Sequence, residues 1–168
     1  MRKIISLAIA VSALVNCKNP NNRTGTPSEP DILNNIEAIG KQEEYLKTEL
    51  QIITDLEVGM EKAKTENKPI LLCFTGYAVI NSRKMESEVV MKNKTVFETK
   101  KNDYINIWLY VDDKDTGKKW KDYQKENFDS GVQPYFVIPD TGGHTISEGL
   151  GYREAKVNPE RELFRNKL

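Results

Sequence analysis

The sequence predicts an α/β domain in which a central mixed sheet is flanked by helices. Two continuous apolar runs, 69–75 and 104–111, have the composition of strands that are buried on both faces. Segments with helical spacing lie before, between and after these runs, so we expect a crossover to join them as a parallel pair. A short apolar segment, 135–138, precedes the turn sequence at 140–143, which predicts an antiparallel hairpin.

Two helices are predicted ahead of the first strand. Apolar residues recur at helical spacing through 31–53, and Gly40 is expected to break this run. Thr54-Asp55 is the expected cap of a second helix that ends near Asn67 and buries Leu56, Met60 and Ala63. The first helix is either part of the domain or an extension of the segment that precedes it.

Three later elements complete the predicted order. One helix is expected from Ser82 to about Lys101, and another from Lys118 to about Phe128, with these core candidates: Met85, Val89, Val96, Phe97, Trp120 and Tyr123. The hairpin partner is expected at 144–148. A final short helix is expected after Asn158, which would be its cap, with Pro159 at the first helical position.

Composition excludes two classes of protein. The chain has 168 residues, with 25 basic and 25 acidic side chains, so there is no electrostatic basis for a nucleic-acid partner. Its two cysteines, Cys17 and Cys73, are too few for a disulfide scaffold. A chain of this length can bury a hydrophobic core large enough to stabilise one domain without disulfides.

The N-terminal residues have the pattern of a secretory signal. Arg2 and Lys3 precede an apolar stretch, 4–15, that is too short for a permanent membrane helix. Leu14-Val15-Asn16-Cys17 resembles the lipobox of bacterial lipoproteins, which implies cleavage before Cys17 and a lipid, such as palmitate, on that cysteine. The alternative is a cleaved secretory peptide with a chance cysteine.

A polar, proline-containing segment follows Cys17. Residues 18–30 contain three prolines and almost no apolar side chain, which is typical of a flexible tether. Sorting rules of known lipoproteins, applied to Lys18, favour the outer membrane over the inner membrane, with the domain facing the periplasm. The predicted organisation is a signal peptide at 1–16, a lipidated cysteine and tether at 17–30, a helical extension at 31–53 and the domain at 54–168.

Three segments of the domain resemble one family. Lys68 to Tyr77, KPILLCFTGY, followed by Arg83-Lys84-Met85-Glu86, resembles thioredoxin-like proteins related to the C-terminal domain of DsbD-type thiol:disulfide interchange proteins. Tyr110 to Lys114 and Gln133-Pro134-Tyr135 resemble two further segments of that family. The resemblance runs from about Asp55 to Leu168. It implies a thioredoxin-like fold in which Pro134 either still shapes a groove for an extended peptide or is retained only because the core is built around it.

The defining motif of that family is altered in this chain. The resemblance places Cys-x-x-Cys at 79–82, where this chain has Val79-Ile80-Asn81-Ser82. Thiol–disulfide exchange requires a thiolate and a resolving thiol, and neither Val79 nor Ser82 supplies one. Cys73 lies inside an apolar strand, so we expect an inert core thiol there.

Other polar residues are weaker candidates for chemistry. Ser82 as a nucleophile would need a base within hydrogen-bond reach, and the one histidine, His144, is expected in or just after the hairpin turn. Ser82 is therefore interpreted as a cap or first-turn residue. Asp112, Asp113 and Asp115 lack the full pattern of a calcium loop, and His144 alone does not make a zinc site. No metal or cofactor is expected.

Three functions remain open from the sequence. The first is a non-catalytic envelope module that binds a peptide or protein in a groove at Tyr77, Val79, Ile80 and Pro134. The second is thiol:disulfide interchange, as the family resemblance implies. The third is a structural subunit of an envelope complex that acts through residues 31–53.

Overall fold

The computed structural model describes residues 29–140 and 148–164. The predicted signal peptide, Cys17, nearly all of the tether and His144 lie outside these ranges. The elements, in chain order, are helices α1 (Glu29–Glu49) and α2 (Leu56–Glu66), strand β1 (Ile70–Thr75), helix α3 (Ile80–Lys84), a π-helical turn π1 (Met85–Val90), helix α4 (Lys94–Asp103), strand β2 (Ile105–Tyr110), helix α5 (Gly117–Phe128), strands β3 (Tyr135–Val137) and β4 (Leu150–Gly151), and helices α6 (Tyr152–Ala155) and α7 (Pro159–Phe164).

The sheet is mixed, as the sequence predicts. Its strand order is β2-β1-β3-β4. β1 and β2 are parallel, with Cys73 opposite Trp108, whereas β3 runs antiparallel to β1 and to β4. On the outer edge of β2, Ile53 forms a single parallel bridge with Ile107, and the N–H of Trp108 donates to the Ile53 carbonyl at 2.8 Å.

Every side chain of β1 and β2 is buried, which confirms the two apolar runs. One face of the sheet carries Cys73, Trp108 and Phe136 and packs against residues of α1, π1, α4 and α7. The opposite face carries Leu72, Phe74 and other apolar residues and packs against α2 and α5. The core therefore has two layers, because helices cover both faces of the parallel pair.

Helix α1 is continuous through Gly40, so the predicted break there is wrong. A Cβ at Gly40 would meet no neighbouring atom, and glycine inside a helix costs only about 1 kcal/mol. The end of α1 is part of the domain core, since Leu46 and Leu50, the residue that follows the helix, are buried. Residues Leu33 and Ile36, nearer the start of the helix, are each 61% exposed.

The helix predicted from Ser82 to Lys101 is divided. α3 continues into π1, and the helical run then stops before α4. The side chain of Asn93 accepts a hydrogen bond from the N–H of Val96 at 3.1 Å, which caps α4 at its own N-terminus. The predicted core residues Met85, Val89 and Val96 are buried, because each half of the divided helix keeps its apolar side toward the sheet.

The hairpin after β3 differs in detail from the prediction. The partner of β3 is Leu150–Gly151, and Phe136 pairs with Leu150, so the described pairing begins beyond the predicted 144–148 segment. Residues 144–147 lie outside the described ranges. Within those ranges, no helix has the length and apolar character needed to cross a bilayer.

Candidate functional site

The altered motif lies where β1 passes into α3. Val79 has extended backbone, with φ −86° and ψ 111°, and is the N-cap of α3. Ser82 lies in the first turn and is only 1% exposed, while Ile80 is 71% exposed. The first-turn position predicted for Ser82 is therefore observed. Val79, at the first position of the motif, is therefore partly exposed, whereas Ser82, at the fourth position, faces the core.

The loop between β1 and α3 is held by Asp112. Its carboxylate accepts hydrogen bonds from the N–H groups of Tyr77 and Ala78, each at 2.9 Å. Gly76 permits this approach, because a Cβ there would lie 2.9 Å from Asp112 Oδ2 and 2.7 Å from Val79 Cγ2. The acidic loop thus positions the motif.

The neighbouring acids do not form a cation site. Asp113 Oδ1 accepts hydrogen bonds from the N–H groups of Asp115 and Thr116, at 3.0 and 2.9 Å, which fix the turn that leads into α5. These backbone hydrogen bonds lower the pKa of Asp113. In the described part of the chain, no group of three or more histidine, cysteine or acidic side chains is placed to hold a metal ion.

Tyr77 is fixed by an aromatic and cationic stack. Its ring is stacked on Tyr110 with 4.1 Å between centroids, and Lys47 Nζ lies 4.9 Å from the Tyr110 ring centre. Tyr110 donates its hydroxyl proton to Glu43 Oε1 at 3.0 Å, and burial raises the pKa of this phenol. Helix α1 therefore sets the orientation of Tyr77, a link that sequence patterns do not reveal.

A largely buried ion network connects α1 to the motif helix. The Arg83 guanidinium lies 2.7 Å from Glu43 Oε2 and 2.7 Å from Glu86 Oε1. It also donates to the Gly76 carbonyl at 3.3 Å. The side chains of Arg83, Glu43 and Glu86 are 12%, 13% and 3% exposed, so these charges interact with little screening by solvent.

The two carboxylates of this network have opposite pKa shifts. Burial raises the pKa of Glu86 to about 7, against the opposing effect of the Arg83 charge. Burial also disfavours ionisation of Glu43, but hydrogen bonds from Lys47 and Tyr110 and the charges of Lys47 and Arg83 outweigh it, so the pKa of Glu43 is lowered. The pKa values shift in opposite directions because Glu86 is the more deeply buried carboxylate, while Glu43 has more favourable partners in Lys47, Tyr110 and Arg83.

Glu86→Gln is expected to flatten the dependence of stability on pH. The folded protein keeps the Glu86 proton up to about pH 7, whereas the unfolded chain releases it near the usual pKa of 4.5. The folded state therefore binds more protons between these values, and the free energy of unfolding falls as pH rises through this window. Urea denaturation at pH 5 and pH 8 should show a loss of roughly 2 kcal/mol in the parent and little change in the variant. Glu57→Gln, at an exposed carboxylate on α2, is the control, and a parent profile with no fall would contradict the assignment.

Cys73 is buried on β1. The side chain is 2% exposed, and burial raises the pKa of its thiol to about 12. The thiol donates weakly to the Phe74 carbonyl at 3.8 Å. Such a thiol is a poor source of thiolate, which fits the predicted role in the core.

The Gln133-Pro134 peptide bond is cis. Pro134 itself is buried, so Val132 and Gln133 are the residues of this segment that reach the surface. Val132 is 56% exposed, and its carbonyl accepts a hydrogen bond from Gln124 Nε2 at 2.9 Å. Within 29–140 and 148–164, the backbone N–H and carbonyl of Gln133 make no hydrogen bond.

A surface cleft of about 540 Å³ lies beside this segment. It is lined by residues from the start of α3, the segment before β3, β4 and α6, among them Asn81, Val132, Gln133, Tyr135, Tyr152 and Arg153. The structure therefore brings Asn81 of the motif close to Gln133, and Ser82 close to Pro134, where both line a smaller internal cavity. Val132, which the sequence did not single out, is a surface residue of this cleft.

The mixed sheet, the helices on both of its faces and the cis proline beside the start of α3 define a thioredoxin-like fold. Comparison with solved structures agrees. A thioredoxin from Thermus thermophilus superposes with a TM-score of 0.54 at 13% identity, over 68% of this chain and 85% of that one. A structure described as DsbH oxidoreductase gives 0.52 at 15% identity, with the same coverage. At these low identities the likeness establishes the fold alone. No protein-family model and no curated protein sequence matches this chain.

Proposed function

We propose that this protein is a lipid-anchored module of the bacterial envelope that binds an extended peptide or a segment of a partner protein without thiol chemistry. The carrying observation is the exposure of three apolar side chains at and beside the altered motif, Tyr77, Ile80 and Val132, which are 45%, 71% and 56% exposed. We call these three residues the motif surface. Val132 lines the same cleft as Asn81, the residue that follows Ile80, and clustered exposed apolar side chains are typical of a binding site.

Open backbone beside the motif surface supports recognition of an extended chain. Gln133 offers an N–H and a carbonyl that no described residue uses. An added peptide strand binds through main-chain hydrogen bonds of this type, while side-chain pockets select its sequence. The cleft beside Gln133, with a volume of about 540 Å³, has room for one or two side chains of such a peptide.

The residues at the motif weigh against the second candidate, thiol:disulfide interchange. Val79 has no ionisable group, Ser82 is buried, and the thiol of Cys73 has a raised pKa inside the core. A mixed disulfide needs an accessible thiolate, and none of these three residues provides one. The anchoring part of the proposal rests on the sequence of residues 1–17, which resembles a lipoprotein signal.

The binding proposal is tested by charging the motif surface. Peptides selected from a random library against the parent protein should bind the double variant Ile80→Glu, Val132→Glu at least about tenfold more weakly, equivalent to about 1.4 kcal/mol. The reason is that two carboxylates would need to be desolvated under an apolar ligand. Calorimetric titration gives the dissociation constants.

The matched control charges two apolar side chains elsewhere. Val58 and Val157 are 59% and 80% exposed and lie on α2 and after α6. Val58→Glu, Val157→Glu should retain the affinity of the parent. Equal weakening in both double variants, or selection of no peptide at all, would reject the motif surface as the binding site.

A further inference from the structure

Lys100 is a basic residue that lies inside the core. It is 0% exposed, whereas the side chain of the neighbouring Lys101 is 37% exposed. Lys100 follows the buried Val96 by four residues, so it lies on the side of α4 that packs against the sheet. Lysine is almost never fully buried unless its charge is paired. The contacts of the Lys100 side chain therefore decide how well its charged form is tolerated.

The Lys100 ammonium has no hydrogen-bond acceptor. No residue in 29–140 or 148–164 accepts a hydrogen bond from Nζ. This atom lies 5.3 Å from the ring centre of Phe136, on β3. An aromatic face attracts a cation, but one such contact does not replace the hydration that a buried ammonium loses. Burial therefore favours the neutral amine over the charged form.

The backbone at Lys100 is fixed to the sheet. Asn106 Nδ2, on β2, donates to the Lys100 carbonyl at 2.7 Å and to the Leu50 carbonyl at 3.3 Å. A lysine close to a surface usually extends its charged end into water. Here the backbone is anchored at β2 and Nζ lies against Phe136 of β3, so the side chain extends through the core layer instead.

The acids of the elements around Lys100 have other partners. α4 packs against π1, β2 and α7. The contacts of the acidic side chains in α4, π1 and α7 include Glu98 with Asn102, Glu86 with Arg83, Glu88 with Tyr152, Glu160 with Asn93 and Glu162 with Arg161. Asp103 raises the pKa of Tyr104, and Tyr110 of β2 donates to Glu43. None of these carboxylates accepts a hydrogen bond from Lys100.

Cys73 is the one described titratable group whose charge would favour the Lys100 ammonium. It lies on β1, opposite Phe136 of β3. Burial raises the pKa of the Cys73 thiol to about 12, so the thiol is neutral at the pH values at which the protein is studied. The described part of the chain thus supplies no counter-charge for Lys100.

The lack of a counter-charge links folding to the protonation of Lys100. Burial lowers the pKa of this amine from 10.5 to about 8. The unfolded chain keeps the proton up to the higher value, whereas the folded protein releases it near the lower one. The unfolded state therefore binds more protons between these values, and the free energy of unfolding rises with pH through this window.

We propose that Lys100 is a pH-sensitive element of the fold: the core accommodates its neutral amine, and protonation of the amine destabilises the folded protein. The element lies in α4 and the adjoining sheet, away from Tyr77, Ile80 and Val132. It therefore stands or falls independently of peptide binding at the motif surface.

Lys100→Met tests the proposal, because it replaces the amine with an apolar group of similar length. Urea denaturation of the parent and the variant gives an unfolding equilibrium constant for each at pH 7.5 and pH 9.5. The ratio of the parent constant to the variant constant should fall about twentyfold between these pH values. The titration of Glu86 affects both proteins alike, so it cancels from the ratio.

The matched control is Lys101→Met, one residue further along α4. Its side chain is exposed, and the hydrogen bond to Glu49 raises the pKa of Lys101, so this amine stays protonated in both states over the same pH range. The corresponding ratio for Lys101→Met should not change with pH. An equal fall for both variants, or no fall for Lys100→Met, would overturn the proposal.

NMR titration of the full-length parent with ¹³C-labelled lysine gives a second measurement that does not depend on the folding of a variant. One lysine Cε resonance should titrate near pH 8, while the resonances of exposed lysines titrate near pH 10.4. The low-pKa resonance should be missing from the spectrum of Lys100→Met, or of Lys100→Gln if the methionine variant does not fold. Titration of every lysine near pH 10.4 would contradict the assignment.

Discussion

The double variant Val79→Cys, Ser82→Cys is expected to reduce insulin disulfides. The parent protein is expected to show no such activity. Val79 lies at the N-cap of α3 and is partly exposed, so a thiolate there is stabilised by the helix dipole and by free N–H groups. Ser82, one turn later and buried, is placed as a resolving thiol. The turbidity of reduced insulin in the presence of dithiothreitol measures the gain.

The single variants are the controls for this gain of activity. Val79→Cys alone should form a mixed disulfide with substrate that is not resolved, and Ser82→Cys alone should react slowly because its side chain is buried. A folded double variant that neither closes an intramolecular disulfide nor reduces insulin would mean that the motif segment lacks the geometry for thiol exchange. Reduction of insulin by the parent would show that a thiol outside this motif is active.

Arg83→Met is expected to lower the free energy of unfolding by about 3–5 kcal/mol. The substitution leaves two carboxylates, Glu43 and Glu86, in a largely buried site without the guanidinium that lies 2.7 Å from each. The apolar stem of methionine keeps the packing, so the effect reports the lost charge and hydrogen bonds. Measured by urea denaturation, the loss of unfolding free energy should be larger at pH 8, where Glu86 is more ionised, than at pH 5.

An exposed ion pair gives the matched control. Lys101 lies 2.8 Å from Glu49, and both side chains are 37% exposed. Surface pairs of this type contribute about 0–1 kcal/mol, so Lys101→Met should have a small effect. If Arg83→Met were no more destabilising than Lys101→Met, the buried network would not stabilise the fold as its geometry implies.

The strands and the parallel pair were predictable because their side chains are buried on both faces. In a chain with 30% charged residues, uninterrupted apolar runs such as 69–75 and 104–111 indicate strands that solvent does not reach. The caps at Asp55 and Asn158 were also predictable, since their side chains accept from Val58 and Arg161 N–H groups within the following turn. Such local signals can be recognised in the sequence without knowledge of tertiary contacts.

The division of the long helix and the path of α1 depended on information that the sequence does not display. Gly40 is a weak helix breaker, and its small penalty is outweighed by helical hydrogen bonds on both sides. Met91 to Asn93 interrupt the helix because the Asn93 side chain caps α4 and so competes with continued helix. Propensity differences of less than about 1 kcal/mol do not decide between these outcomes.

The position of the candidate site was predictable, but the residues that surround it were not. The motif segment 79–82 and Pro134 were located from short sequence resemblances, and the structure places both beside one small cavity. The exposure of Val132 and the orientation of Tyr77 by Lys47 and Tyr110 arise from contacts between residues far apart in sequence. Such long-range contacts leave no pattern in a single sequence.

Among the described residues, the sheet has two outer strands, β2 and β4, and neither presents a long row of unpaired backbone groups to another chain. β4 has two residues, Leu150–Gly151, and the outer side of β2 is covered at its centre by the bridge from Ile53. Exposed sheet edges are the surfaces through which folded chains join into fibrils. Copies of this domain held close together should therefore resist edge-to-edge aggregation, and their tendency to aggregate should be governed by transient unfolding rather than by pairing of native strands.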